Sequence, residues 1–262
     1  MPPSQRADPS SFPAGMKDIT TIRLPPGTAN ERCFSVLRMT STGNHMSLKA
    51  QLDARRGAFE ASTPPGIVAA LQRSIAELVQ TGLVRQVVRA GERAPLFRLR
   101  SNTGAFGSLS EAVDRGPVVV SFFRGGWCPF CRLELQALEQ AHPEIERLSA
   151  TLIGLSPLPE DDSCSSFPIL KDPGCRIAVR YRIAFTVAPQ FRPAYVALGY
   201  PERSEKDPEH WVLPLPATYI IDHNGIVVLS YVDADYTTRL EPTEIAVALA
   251  HLRARAYPSS SV

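Results

Sequence analysis

The sequence predicts an α/β fold built in layers: a mixed central sheet flanked by helices, with a helical lead-in on its N-terminal side. Three observations carry this. The run Val118-Val119-Val120-Ser121-Phe122-Phe123 is apolar almost without alternation, so it reads as a strand buried on both faces. A helical pattern follows, and residues 150–155 (ATLIGL) form a second core strand. Near the C-terminus, two strands flank an Asn-Gly turn and precede a last helix. Strand, helix, strand, helix, hairpin, helix is the order of a layered α/β sandwich with a mixed sheet.

Element by element, residues 1–45 carry Pro2, Pro3, Pro9, Pro13, Pro25 and Pro26 with many Ser and Thr, and no period persists. Such a segment buries too little apolar surface to offset its ordering entropy, so it is expected to be a disordered extension. It lacks the apolar run of a secretory signal, and Asp8 and Asp18 argue against a transit peptide. Met46 opens a clean helical pattern and is a second candidate start of translation. Residues 46–62 place Leu48, Leu52, Ala54 and Phe59 near helical spacing. Thr63-Pro64-Pro65-Gly66 interrupts the pattern. Residues 67–81 resume it with Ile67, Leu71, Ile75, Leu78 and Val79, and Gly82 supplies a stop. This two-helix lead-in, 46–90, has an apolar face that needs a partner, either the main domain or another subunit. The main domain is expected over 91–257. After the first core strand, a helix turns Leu133, Leu135, Leu138 and Ala141 inward. Residues 174–182 suggest a short helix. Residues 184–212, with Pro189, Pro193, Pro201 and Pro208, read as an insertion or long loop. Ala217–Ile221 is a strand, Asp222-His223-Asn224-Gly225 a turn, and 226–231 the returning strand. The last helix spans about 242–256.

Composition narrows the function. The chain is 44% apolar and 21% charged, which excludes a wholly disordered protein. No run of about 18 apolar residues is present to cross a membrane. A net charge of +2 argues for neither a nucleic-acid nor a membrane partner. Five cysteines are too few for a disulfide-stapled secreted scaffold. The expected compartment is therefore a reducing cytoplasm, where a close cysteine pair is more often catalytic or metal-binding than structural.

The chemistry centres on Arg124-Gly125-Gly126-Trp127-Cys128-Pro129-Phe130-Cys131. It stands between a core strand and a helix, with Pro129 suited to the first helical turn. The free N–H groups and positive dipole end then lie beside Cys128 and favour its thiolate, the reactive form. Two intervening residues let both sulfurs meet within one turn. Cys128 is thus the expected nucleophile and Cys131, deeper in the helix, the resolving thiol. A structural zinc site wants four ligands, and Cys164 and Cys175 do not supply a second close pair. Haem attachment wants His where Arg132 stands. A pair of inert buried thiols is the plain alternative. His142, His210, His223 and His251 are scattered without metal spacing. Asp233 and Asp235 share one face of a continuing strand and read as its solvated end.

These residues resemble those of a known family. Gly91-Glu92-Arg93-Ala94-Pro95-Leu96-Phe97 is similar to the opening segment of the redoxin group, the AhpC/TSA peroxiredoxin-like branch of the thioredoxin fold. Gly-Gly-Trp-Cys-Pro-Phe-Cys after an apolar strand is similar to the active-site turn of thioredoxin-like proteins. Leu215–Asp222, followed by Asn224-Gly225, resembles the family's segment before its hairpin. The likeness covers about residues 90–256. It implies a thioredoxin-like fold and a thiol peroxidase that reduces hydroperoxides through a Cys128–Cys131 disulfide. A thioredoxin-type or small-thiol reductant would recycle it, without metal or organic cofactor, and a homodimer is a possible assembly. It further implies that Pro216 is a cis-proline facing the dithiol, where it would align substrate; an ordinary trans proline before a strand is the plain alternative. Trp127 flanks the dithiol and is expected to shield it and to contact substrate, with a plain packing role equally consistent. Cys164 and Cys175 could form a second resolving pair, if close enough.

The departures are equally specific. The family's Pro and Thr, seven and three residues before the reactive Cys, are Ser121 and Gly125 counted from Cys128, or Arg124 and Cys128 counted from Cys131. The family arginine's position holds Pro216, and Arg124 is the residue that could replace it in space. The buried Asp of thioredoxins proper corresponds to Phe122, leaving Glu134 as a candidate base or, equally, a solvated helix residue. The missing peroxidase pattern favours a thiol–disulfide oxidoreductase acting on protein disulfides. The redoxin motifs favour the peroxidase. A dithiol that only switches a binding surface is a third, non-enzymatic reading.

Overall fold

The computed structural model describes residues 46–101, 104–158, 165–201 and 208–256. The expected extension 1–45, Cys164 and the end of the main domain at 257 lie outside them. The central sheet is built from β3 (Val118–Phe122), β4 (Thr151–Ser156), β5 (Ile169–Lys171), β8 (Ala217–Ile221) and β9 (Val227–Val232). These five strands lie in the order β5-β4-β3-β8-β9. β3, β4 and β5 run parallel, while β8 and β9 are antiparallel additions, so the sheet is mixed as expected. β3 and β4 are buried at every position, which is why their sequences do not alternate. This is a thioredoxin-like arrangement.

Two apolar layers cover the sheet. Val118, Val120 and Phe122 of β3 point to one layer, with β1 (Arg98–Arg100), β2 (Phe106–Ser108), α3 (Leu109–Val113) and α5 (Arg176–Arg180) on or beside that side. Val119 points to the other, which holds α4 (Pro129–Arg147), α7 (Pro242–Ala256) and the lead-in helices α1 (Leu48–Ser62) and α2 (Pro65–Thr81). The sequence pattern does not mark β1, β2, α3 or β5, because segments of three to five residues are too short to show a period.

The lead-in buries its apolar face against its own chain. Leu48, Leu52 and Leu71 join the same core as Phe130, Leu138 and Tyr195. Two polar ties add direction. The Glu241 carboxylate accepts the otherwise unpaired α1 amides of Leu48 and Lys49, at 3.2 and 2.6 Å. Ser74 of α2 shares a buried 3.3 Å hydrogen bond with the Tyr195 hydroxyl. Gly82 ends α2 in the left-handed conformation, φ 67°, as a C-terminal glycine should.

Two expectations need correction. Residues 184–212 are not one long loop. Their described parts form β6 (Ala184–Thr186), α6 (Arg192–Ala197) and β7 (Val212–Pro214), with β6 and β7 paired as a ribbon. The prolines mark the starts of these short elements: Pro189 opens a 3₁₀ turn and Pro193 lies in the first turn of α6. Second, the 215–216 bond is trans, since no cis peptide occurs among the described residues. The chain leaves the β7 ribbon, where the Leu215 amide donates to Ile183, and runs extended into β8. A trans bond preserves that direction.

Leu52 tests the packing of the lead-in, being 2% exposed. Leu52→Ala is expected to lower the unfolding free energy by about 2–5 kcal/mol, measured as an earlier urea midpoint with unchanged slope.

Candidate active site

The site stands at the end of β3. Cys128 is the N-cap of α4 and Pro129 its first helical residue, as the sequence predicts. Gly125 makes the approach possible. Its φ is 132°, and a Cβ there would lie 2.7 Å from the Trp127 indole and 2.8 Å from the Leu158 carbonyl oxygen. Trp127 can therefore fold back, donating its indole N–H to the Arg124 carbonyl at 2.9 Å and packing edge-on against Tyr200. It is 7% exposed and lies beside the dithiol, an arrangement that serves packing and shielding alike.

Both cysteines are free thiols and both are wholly buried, so Cys131 is not the less exposed of the two. Each sulfur faces its own guanidinium. Arg124 places Nη2 3.6 Å from the Cys128 sulfur. Arg239, from the loop after β9, places Nη2 3.3 Å from the Cys131 sulfur. Arg124 is held mainly by ring faces: its guanidinium carbon lies 4.1 Å from the Tyr236 centroid, 5.1 Å from Trp127 and 5.3 Å from Tyr195. Its Nε has no hydrogen-bond partner among the described residues.

Arg239 is held differently. Its Nε donates to Glu134 Oε2 at 2.5 Å, and its Nη1 to the carbonyls of Tyr236 and Thr238, both at 2.5 Å. Glu134 is 2% exposed, which removes the reading of it as a solvated helix residue. The buried stripe of α4 runs through Cys131, Glu134, Leu138, His142 and Ile145, at spacings of three and four, with Leu133 and Leu135 flanking it half-buried. The sheet supplies Glu134 with partners. Ser121 and Thr218 face each other in register across β3 and β8, and both donate to Glu134 Oε1, at 3.0 and 3.4 Å. The loop that delivers Arg239 is shaped by its own aspartates. Asp233 accepts the Asp235 amide, and Asp235 accepts the amide and hydroxyl of Thr237. These half-buried residues are more than a solvated strand end.

The charges separate the two thiols. Burial pushes the Cys128 thiol up, but a hydrogen bond from Cys131 and the charges of Arg124 and Arg239 outweigh it, holding Cys128 well below the usual thiol value. Burial pushes Cys131 well above that value, reinforced by its donation to Cys128 and the negative charge there. Glu134 is raised by burial, with Arg239 and Ser121 opposing. The arrangement favours the thiolate at Cys128 and the protonated thiol at Cys131.

The remaining expected residues lie elsewhere or at the margin. Pro216 immediately precedes β8, whose first residue pairs with Phe122, so it lies at the same sheet end as the dithiol. Cys175 belongs to the opposite apolar layer, where its thiol donates to the Val212 carbonyl at 3.3 Å. No cluster of three or more metal-ligating side chains occurs among the described residues. Arg239 is the residue beside the dithiol that sequence reasoning missed.

A mixed sheet with a dithiol at the start of its α4 helix defines a thioredoxin-fold thiol protein. The AhpC/TSA family profile matches residues 90–230, more than half of the chain, and the chain belongs to that family. It is a peroxiredoxin-like protein. It is 26% identical over 152 residues to the chloroplastic peroxiredoxin Q of Suaeda salsa, a match covering 55% of this chain and 60% of that protein. Among solved structures it resembles a cysteine-to-serine mutant of the peroxiredoxin 6 of Arenicola marina, with a TM-score of 0.50, 19% identity, and coverage of 64% of this chain and 75% of that one. It also resembles the peroxidoxin BcpB of Mycobacterium tuberculosis, with a TM-score of 0.48, 21% identity, and coverage of 64% and 97%. No described helix is long and apolar enough to cross a membrane.

The lowered Cys128 value sets a pH dependence. A thiol whose folded value lies below its unfolded one adds stability as pH rises between the two, and that stability is lost as pH falls through the folded value. The reduced protein is expected to gain up to about 1.4 kcal/mol per pH unit relative to Cys128→Ser as pH approaches about 8.5. Paired urea titrations of both proteins at several pH values measure it.

Proposed function

We propose that the protein is a thiol peroxidase that reduces hydroperoxides, with Cys128 as the attacking residue and Cys131 as the resolving one. The observation that carries this is the pairing of the buried Cys128 sulfur with the Arg124 guanidinium, 3.6 Å away. The thiolate attacks one peroxide oxygen. An S–O bond forms, the O–O bond breaks, and the leaving alkoxide or hydroxide takes a proton to become an alcohol or water. Sulfur is oxidised and oxygen reduced. Arg124 donates hydrogen bonds where negative charge grows on the departing oxygen. Cys131 then attacks the sulfenic acid, an S–S bond forms, and water leaves. A thioredoxin-type dithiol or a small thiol reduces the disulfide by exchange. A reducing cytoplasm is the compartment in which such a cycle is sustained.

Stopped-flow consumption of hydrogen peroxide by the reduced protein tests this reading. The expected rate far exceeds that of a free thiol, and Cys128→Ser abolishes it. Cys131→Ser stops after one turnover with a sulfenic acid visible by mass spectrometry, and Arg124→Met slows the reaction about a hundredfold. A rate no faster than a free thiol, with active reduction of insulin, transfers the assignment to disulfide exchange.

A further inference from the structure

We propose that the buried charges of Arg124, Arg239 and Glu134 hold the Cys128–Cys131 couple on its dithiol side, so that its disulfide is readily opened by monothiols of the glutathione class. Glu134 sets how far the balance lies. The inference rests on the proposed function in one respect, that these two cysteines form the disulfide of the cycle.

The argument is one of charge conservation in a dry site. Arg124 and Arg239 are 1% and 7% exposed, and a guanidinium does not shed its proton. Two buried carboxylates occur among the described residues. Asp172 is occupied at α5, where it accepts the amides of Ile177 and Ala178. Of the two, only Glu134 contacts a guanidinium of the site. Tyr195 and Tyr236 contribute ring faces to Arg124. The dithiol state, with Cys128 as thiolate, therefore balances two positive charges with two negative ones. Forming the disulfide removes the thiolate and leaves one buried positive charge without a counter-ion. Uncompensated buried charge is strongly unfavourable. A disulfide whose reduced form is selectively stabilised is a strong oxidant, because stability of the product drives its reduction.

The exchange balances. Two monothiols give two electrons to the disulfide and become one disulfide themselves. The protein is left with a Cys128 thiolate and a Cys131 thiol, and one proton passes to solvent. The first thiolate attacks one sulfur, the S–S bond breaks, and a mixed disulfide forms. A second thiol resolves it.

The sign of each substitution follows. Arg124→Met removes a positive charge that has no carboxylate partner, so the thiolate loses its nearest cation and the equilibrium moves toward disulfide. Arg124→Lys keeps the charge and stays near the parent value. Glu134→Gln removes the negative charge that competes with the thiolate, so the equilibrium moves toward dithiol. A residue acting only through packing would weaken the protein without opposite signs of this kind.

The experiment equilibrates the full-length protein in mixtures of reduced and oxidised glutathione at pH 7, with a thioredoxin in parallel, and reads the dithiol fraction by alkylation and mass spectrometry. The expected result is a disulfide at least about tenfold more easily reduced than that of the reference thioredoxin. Arg124→Met and Glu134→Gln shift the constant about tenfold in opposite directions. Each tenfold shift accompanies about one unit in the thiolate titration of Cys128 followed at 240 nm. Shifts of the same sign, no shift, or a parent disulfide more resistant than the reference would overturn the inference. No peroxide is used, so a protein inert to peroxide can still obey it. Absence of a Cys128–Cys131 disulfide in the mass spectra, by contrast, removes the cycle and the inference together.

Discussion

A buried carboxylate and a buried guanidinium, Glu134 and Arg239, tie the site together. Neither tolerates its position alone, because an unpaired charge out of water costs several kcal/mol. Together they connect three parts of the chain. Glu134 belongs to α4, its other oxygen accepts from the paired strands β3 and β8, and Arg239 closes the loop after β9. Replacing such a pair by apolar side chains often leaves stability unchanged or raises it. What this pair provides instead is placement. One face of a guanidinium is locked by a carboxylate and two carbonyls, and the remaining nitrogen is aimed at the Cys131 sulfur.

The two arginines contribute differently because their partners differ. Arg239 is largely neutralised by Glu134, so its effect on the sulfurs is directional. Arg124 has aromatic faces around it and a thiol 3.6 Å away, so its charge is more available to sulfur. Helix α4 adds its own polarity, with Cys128 at the positive end and Cys131 one turn inside. The chemically similar thiols of one short motif are thereby pushed apart in proton affinity, Cys128 downward and Cys131 upward.

Much of this was readable in the residues. The unbroken apolar run at 118–123 announced a doubly buried strand, and Cys-Pro-Phe-Cys announced a helix start, because Pro129 has few other comfortable places. The Asn-Gly turn located the hairpin. Arg239 was not readable, since it meets Cys131 across more than a hundred residues and sits in a loop without period. Its flanking apolar residues, Tyr236 and Leu240, were the only local hint that this arginine points inward. Glu134 was recognisable as a candidate but not as a buried one. Its burial depends on the hydroxyls of Ser121 and Thr218 lying in register on neighbouring strands, a pairing between distant segments. The prolines of 184–212 signalled breaks, and short elements begin at such breaks as readily as loops do.

The two lead-in helices lie outside the 90–230 family match, yet they reach the residues that steady both arginines. α1 rests its first amides on Glu241, two positions beyond Arg239, and α2 holds Tyr195, one of the rings over Arg124. The helices therefore brace both arginines from outside the matched region. A chain begun at residue 90 would keep both cysteines and both arginines, yet Glu241 and Tyr195 would lose the partners that hold them in place.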